Sequence, residues 1–371
     1  MPSDHYNIAI AGGGPAGALC AIRLARLGWR VLLADKSPAA PLGAPFPEML
    51  SPGACRLLTK LEVDGAWGGE ASVECPGVLS FWNRNTPELS NFALTQLCQG
   101  RVLDRAKFDA NLRGLAISAG VGYKPSTRLS CHTNRDVSVE RLQLRQQSAS
   151  LGTDCTADFF VEASGRNPVA GRAGDNCVSR IFFDRLIAIQ VPAPTATGDQ
   201  PPWFHIIASS NGWWYRFAHR SHPTWVFLTD ADLFPRDVAH RQDFLHREWR
   251  ELGDYVGNLP ALEVASARIR DARTSCRSVL WRNRWMPLGD ASFTLDPLSG
   301  SGLNRAFRAA DRAADAIDSF LRTGSTSLLS EDATETARDF TACLSEGARH
   351  YTEAATQFPE SAFWRRRSRL V

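Results

Sequence analysis

Apolar positions change rhythm several times along the chain. The opening stretch, "YNIAIAGGGPAGALCAIRLARLGWRVLLADKS", runs from Tyr6 to Ser37. Tyr6–Ala11 is a short unbroken apolar run, which predicts a buried strand. Gly12–Gly17 is a glycine turn, and Ala16–Leu27 has helical spacing that Gly28 stops. "WRVLLAD" is a second buried strand, so the segment reads as a βαβ unit with a parallel sheet. Residues 102–120 predict a helix with one apolar face, and "ADFFVEASGR" (157–166) a buried strand ending in a turn. Between about 177 and 275 the pattern shifts to short runs rich in aromatic and β-branched residues. "SRIFFDRLIAIQV", "PWFHIIASS", "GWWYRFAHR" and "TWVFLTD" are bounded by Pro, Gly, Asn and Asp, which predicts an antiparallel sheet. Pro192–Pro202 reads as a loop. "SCRSVLWRNRWMPLGDA" returns to strand, and helices are expected at 304–322 and about 331–357.

These rhythms divide the chain. Residues 1–75, 98–176 and 276–330 form one discontinuous α/β domain, and 76–97 with 177–275 a second, antiparallel-sheet domain. Residues 331–371 form a C-terminal helical segment. A length of 371 residues fits about two domains. With 44% hydrophobic and 22% charged residues the chain has the composition of a globular protein. A formal charge of +3 gives no reason to expect nucleic acid or an anionic membrane as partner. Nine scattered cysteines without zinc spacing imply reduced thiols and no metal site. No run of about 18 apolar residues predicts a membrane span, and the N-terminus does not read as a signal peptide, so a cytoplasmic location is expected.

Two glycine features carry the chemistry. In "GGGPAG", Gly12 permits the tight turn, Gly14 lets backbone approach a pyrophosphate, and Gly17 lets helix and strand pack closely. Pro15 and Ala16 open the helix whose N-terminus favours the anion. Asp35, at the end of the second strand, stands where a carboxylate holds a ribose 2′-OH, with Lys36 beside it. The second feature, "LGDASFTLDPLSGSGLNRAF" (288–307), places an Asp-Pro step and a Gly-Ser-Gly turn before an amphipathic helix.

Together the two resemble the FAD-binding motifs of the aromatic-hydroxylase group of flavoproteins. The second resembles G-D-x(5)-D-P-x-x-G-x-G, here Gly289, Asp290, Asp296, Pro297, Gly300 and Gly302. The resemblance implies a Rossmann-like FAD-binding domain of the glutathione-reductase/p-hydroxybenzoate-hydroxylase type with an antiparallel-sheet substrate domain. It implies Asp290 on the ribityl chain, Pro297 beside the isoalloxazine, and the Gly300–Ser301–Gly302 backbone, leading into Leu303, at the pyrimidine edge. A helix N-terminus there would stabilise the anionic reduced flavin. "RVLDRAKFDANL" resembles the helix whose basic residue meets the ribityl region, with Arg105 matching better than Arg101. "FFVEASGRNPVAGR" resembles the turn that closes over FAD, with Gly165 and Arg166 in it. "PFPEML" resembles a GE-x-L segment and puts Glu48 near the flavin, although Pro47 replaces its glycine.

"NGWWYRFAHR…TWVFLTDADL" and "FPESAFWRRR" look most like flavoprotein maturases that hydroxylate a tryptophan of a partner polypeptide during tryptophylquinone cofactor biogenesis. Tryptophan halogenases are the nearest competitor. They carry a catalytic lysine after the GE-x-L region, where this chain, "WGGEASVECPGVLSFWNRN", has none. They also carry W-x-W-x-x-P, against Trp213-Trp214-Tyr215 here with no proline before Pro223. A hydroxylase of a free small aromatic, a geranylgeranyl-reductase-like enzyme and a non-catalytic FAD-binding chaperone are the other readings. Phenol hydroxylases have a "DG" fingerprint linked to NAD(P)H where this chain reads "EASGR". The electron source is therefore NAD(P)H or a separate flavin reductase.

The expected function is that of an FAD-dependent monooxygenase using O2 and a C4a-hydroperoxyflavin to hydroxylate an aromatic side chain of a peptide or protein. Strand alternation puts Trp213, Tyr215 and Phe217 on one face as the candidate substrate pocket, or as plain core filling, and Trp214 and Arg216 on the other. His219 and Glu48 are the candidate catalytic groups, and His222 and His205 further proton acceptors. The arginine-rich tail "FWRRRSRL" reads as a solvated face, with docking of an acidic peptide as the alternative.

Overall fold

The structure, a computed structural model, describes residues 4–38, 48–83, 87–133, 139–146, 153–166, 179–192, 203–217, 224–253 and 262–368. Two seven-stranded sheets organise it. In the first, Asp4–Ala11 lies between Val31–Ala34 and Thr153–Glu162, and all three run parallel. Gly122–Lys124 and Trp285–Pro287 add parallel strands, and the antiparallel pair Thr127–Thr133 and Val139–Gln146 extends one side. The second sheet runs in the order Arg268–Asp271, Leu186–Pro192, Thr224–Asp230, Gly212–Phe217, Phe204–Ser209, Gly77–Phe81, Glu88–Asn91. It is antiparallel except where Phe204–Ser209 meets Gly77–Phe81.

Eight helices lie among the described residues: α1 Pro15–Arg26, α2 Pro52–Lys60, α3 Phe92–Gln96, α4 Arg105–Ser118, α5 Val238–Arg250, α6 Gly302–Thr323, α7 Ser327–Ala355 and α8 Ala362–Arg367. The small side chains of α1 and α6 pack together over the first sheet; Ala18, Ala21, Ala310, Ala313 and Ala314 are all fully buried. None of these helices is long and apolar enough to cross a membrane.

Three expectations are corrected. The helix expected from residue 102 begins at Arg105, because Val102 and Leu103 belong to a strand and Asp104 caps the helix through Ala106 and Lys107 N–H. The stretch read as continuous β pattern contains α5, whose Phe244, Leu245 and Trp249 pack under the sheet. The C-terminal tail is not a solvated face: Phe363 and Trp364 are fully buried and Arg367 is 3% exposed.

Candidate functional site

The glycine turn before α1 is closed by contacts no side chain would permit. Gly12 has φ +113°, and a Cβ there would lie 2.2 Å from the Ala163 carbonyl oxygen. A Cβ on Gly17 would lie 2.0 Å from the Gly12 oxygen. Gly14 differs: nothing stands within 4 Å of its Cβ position. It is also the N-cap of α1 and supplies no side-chain acceptor, so first-turn N–H groups are left for another partner. Asp35, 8% exposed, ends the neighbouring strand and accepts the Ser37 N–H at 2.9 Å.

The second turn is brought to the first by Gly289. Its φ is +61°, and a Cβ would lie 2.9 Å from Ala16 Cβ. Asp296 then caps a short turn at Pro297–Ser299 by accepting Leu298 N–H at 2.9 Å. Gly300 takes φ +55°, and α6 starts at Gly302 with no side-chain cap from Ser301. Two uncapped helix starts, one from each end of the sequence, thus approach each other in the fold.

They open on one cavity of about 600 Å³, inside the roughly 300–1,000 Å³ typical of small-molecule sites. Of the sequence candidates, Gly12, Gly14, Pro15, Ala16, Asp35, Lys36, Glu48, Arg105, Gly165, Asp290, Gly302 and Leu303 line it. Gly17, Gly289, Pro297, Gly300 and Ser301 do not line it; Gly17 and Gly289 pack on the lining residues Gly12 and Ala16, and Pro297, Gly300 and Ser301 form the turn that leads into α6. A cavity of this size with an anion-receptive helix start at each of two motifs and a carboxylate at a strand end fits a dinucleotide. FAD meets that donor set.

Arg105, Glu48 and Asp109 on the cavity wall form one paired group. Arg105 donates to Asp109 through Nε (3.0 Å) and Nη2 (2.9 Å), and through Nη1 to Glu48. Burial raises the Glu48 pKa above the usual carboxylate range, opposed by the Arg105 guanidinium. A Cβ on Gly302 would lie 3.6 Å from Glu48 Oε1, which places this carboxyl at the start of α6.

The sequence reading missed Arg113, Arg277 and Glu162 here, and had Asp109 as an ion-pair partner of Arg105. Buried Arg113 reaches the Gly13 carbonyl at 3.4 Å from α4. Asp109 fixes Arg105, one helical turn away. Arg277 and Glu162 form a fully buried pair at 2.7 Å. The Arg277 Nε donates to the Ala291 carbonyl, and the Glu162 carbonyl accepts Leu288 N–H. That pair ties the Ala163–Gly165 turn to the Gly289–Ala291 turn. Its signal was a glutamate ending an apolar strand, in "FFVEASG".

Trp213 and Tyr215 face one side of the second sheet and Trp214 the other, as strand alternation requires. Trp213 and Tyr215 are nearly fully buried, and neither lines the cavity. Trp213 packs against Trp82 at 6.0 Å and donates its indole N–H to Tyr351 Oη at 2.9 Å. Tyr351 in turn donates to Asp296. Burial, with weaker contributions from Glu48 and Asp296, raises the Tyr215 phenol well above its usual pKa. The side chain of Phe217, and all of His219 and His222, lie outside the described residues. His205 is on the α5 side of the sheet beside Arg216; burial, then that guanidinium, lowers its pKa to about 4, which leaves it neutral at pH 7.

Comparison with known proteins agrees with this geometry. Among solved structures, the peptidyl tryptophan dihydroxylase QhpG, essential for tryptophylquinone cofactor biogenesis, superposes with a TM-score of 0.76 at 24% identity, over 98% of this chain and 79% of that one. The flavin-dependent halogenase CmlS gives 0.79 at 22% identity, over 99% and 68%. Among curated proteins, a 1H-pyrrole-2-carbonyl-[peptidyl-carrier protein] brominase of Pseudoalteromonas luteoviolacea is 25% identical over 338 residues, 84% of this chain and 77% of its own. A menaquinone reductase of Mycobacterium tuberculosis is 23% identical over 349 residues, 85% and 77%. Residues 80–370 match the tryptophan halogenase family, and with most of its length inside that match the chain belongs to this family and is an FAD-dependent oxidoreductase.

Proposed function

We propose that the chain is a flavin-dependent monooxygenase that hydroxylates an aromatic side chain, tryptophan, in a peptide or protein partner. The observation that carries the reading is the lysine-free stretch Trp67–Asn85. Halogenases of this family place their catalytic lysine in that stretch. The likeness to a peptidyl tryptophan dihydroxylase supports the choice of substrate.

The α1 start and Asp35 would hold the diphosphate and ribose of FAD, with Lys36 beside them. Asp290 would meet the ribityl chain, and the N–H groups at Gly302 and Leu303 the pyrimidine edge. When reduced, by NAD(P)H or a separate reductase, and supplied with O2, the flavin would provide an electrophilic oxygen. Indole is already electron-rich, so the protein's tasks are to hold the ring close and keep water out. Glu48, with its raised pKa, can hold a proton at the α6 start and return it after transfer. Arg105, locked by Asp109, positions that carboxyl.

The test is incubation with chemically reduced FAD, O2 and bromide, offering a tryptophan-bearing peptide alongside free tryptophan. Mass spectrometry should show oxygen added to the peptide ring. Bromine on the ring would establish the halogenase reading instead, and oxygen on free tryptophan alone a small-molecule hydroxylase.

A further inference from the structure

We propose that the outer edge of the Arg268–Asp271 strand receives an extended, acidic segment of the polypeptide substrate as an added β-strand. The inference rests on the peptide-substrate reading above, but its test needs no turnover. This strand is the last in its sheet and among the described residues pairs only with Leu186–Pro192. All four of its residues are exposed. An unpaired edge offers N–H and C=O groups to an extended chain, and peptide recognition by strand addition uses such edges.

The side chains say which peptide fits. Arg268 and Arg270 form no ion pair with a described residue, whereas Asp271, the only carboxylate on the strand, is taken by Arg273 at 2.9 Å and approached by Arg166 at 4.0 Å. Among the described residues the uncompensated charge on the edge is therefore positive. Apolar surface flanks it: Ile269 is 46% exposed and Phe182 45%, with the Arg273 guanidinium 3.9 Å over the Phe182 ring. Charge with adjoining apolar surface suits a strand that alternates acidic and apolar residues.

Register connects this edge to the candidate chemistry. Arg268 pairs across with Gln190, which pairs with Val226, which pairs with Tyr215. Arg270 leads through Ala188 and Leu228 to Trp213. Residues directly opposite share a face, so both arginines lie on the face that carries Trp213 and Tyr215, three strands away. A strand added outside Arg268–Asp271 lies one spacing further out, so at about 4.8 Å per strand the distance is about 19 Å, or about six residues of extended chain. Arg166, which approaches Asp271, also lies 3.9 Å from Asp290 in the cavity wall. A peptide docked here would hold its acidic residues about six or more positions from a segment that reaches the Trp213–Tyr215 face.

Arginines on an edge also discourage self-pairing, a task for which the sign of the charge is immaterial. Peptides of opposite sign therefore separate the two roles. The probes are two peptides of about ten residues, one alternating glutamate and valine and one lysine and valine, titrated against the full chain by fluorescence anisotropy. The acidic peptide should bind at least about tenfold tighter, and added salt should weaken it. Arg268→Glu with Arg270→Glu should reverse the preference. Methylating alternate backbone nitrogens of the acidic peptide should cost about tenfold, since strand pairing loses its donors. Should the charge reversal unfold the chain, Arg268→Gln with Arg270→Gln should erase the preference instead. Equal binding of the two peptides, unchanged affinity in the arginine variants, or full binding of the methylated peptide would each overturn the proposal. Binding of the acidic probe, with no oxygen added to the tryptophan-bearing peptide in the turnover test above, would leave this docking site standing and remove the hydroxylase reading, so the two fail separately.

Discussion

At the cavity the chain works mainly with backbone, and behind it with side chains. Around α1 and α6 the groups that matter are N–H donors at the two helix starts, in turns closed by Gly12, Gly17 and Gly289, where a β-carbon would clash. On the Trp213 face of the second sheet, position is fixed by indoles, a phenol and buried charges drawn from segments as distant as Trp82, Trp213, Tyr351 and Arg367. A backbone site tolerates almost no change at its closest contacts but fails locally where there is room. A side-chain core distributes its losses. The largest expected effects follow from that contrast. Gly17→Val should abolish both folding and FAD retention, because its Cβ would meet the Gly12 oxygen at 2.0 Å. Gly14→Ala should fold with an unchanged melting temperature, since φ is −74° and its Cβ position is open. Yet it should lose FAD on gel filtration, followed by flavin absorbance. If Gly14→Ala keeps its flavin, α1 does not hold the diphosphate, and the contrast between the two regions collapses.

One step smaller are the two buried ion pairs, one in each region. Glu162→Gln leaves Arg277 at 2% exposure, and Asp230→Asn leaves Arg367 at 3%, without a carboxylate. Removing one member of such a pair costs roughly 3–5 kcal/mol. The losses should match in urea melts but differ in kind. Glu162 ties together the two turns of the cavity, so its variant should also release FAD. Asp230 anchors α8 through Arg366 and Arg367, so its variant should keep FAD while the tryptophan fluorescence of the Trp364 region changes. Equal flavin affinity in both variants would show that the Glu162–Arg277 pair does not support the site.

How much of this was legible follows the same division. The glycine turns could be read because a φ above zero, or a backbone contact too close for any Cβ, leaves one residue type, and local spacing supplies strand, turn and helix in order. Trp213 and Tyr215 could be placed on one face by alternation alone. What covers them could not be read, since Tyr351 and Trp364 arrive from α7 and α8 at the far end of the sequence, with no local periodicity linking them. The tail misled because three consecutive arginines read as solvated. Only the fold brings Asp230 within 2.7 Å of Arg367. Helix α5 went unread because the stretch from about 177 to 275 was read from its β-like runs alone, the last ending at Asp230, while Phe244, Leu245 and Trp249 lie beyond them and pack as one helix face under the sheet.

The smallest effect sharpens the contrast at the point where the two regions touch. Tyr351 accepts from Trp213 and donates to Asp296, and an indole N–H can only donate, so the direction of this chain is fixed. Tyr351→Phe removes the middle member and strands a buried donor and a buried acceptor, at about 1–3 kcal/mol. Asp296 adds a pH signature. Burial raises its pKa from 3.8 to about 6, against the pull of Arg367, Tyr351 and the Leu298 N–H. A carboxyl with a higher pKa folded than unfolded takes up protons on folding, so its contribution is full below 3.8 and is lost as pH rises through about 6. The two-unit gap is worth at most about 3 kcal/mol, an upper bound because Asp296 keeps part of its surface accessible. Without the phenol that stabilises the carboxylate, Tyr351→Phe should move this loss to higher pH, while Asp296→Asn should abolish it. Urea melts of the three proteins between pH 4 and 8 measure both shifts. Identical profiles in wild type and Asp296→Asn would mean that the carboxyl next to Pro297 is as well solvated as a surface group, and the wall between flavin site and aromatic core would then be wet.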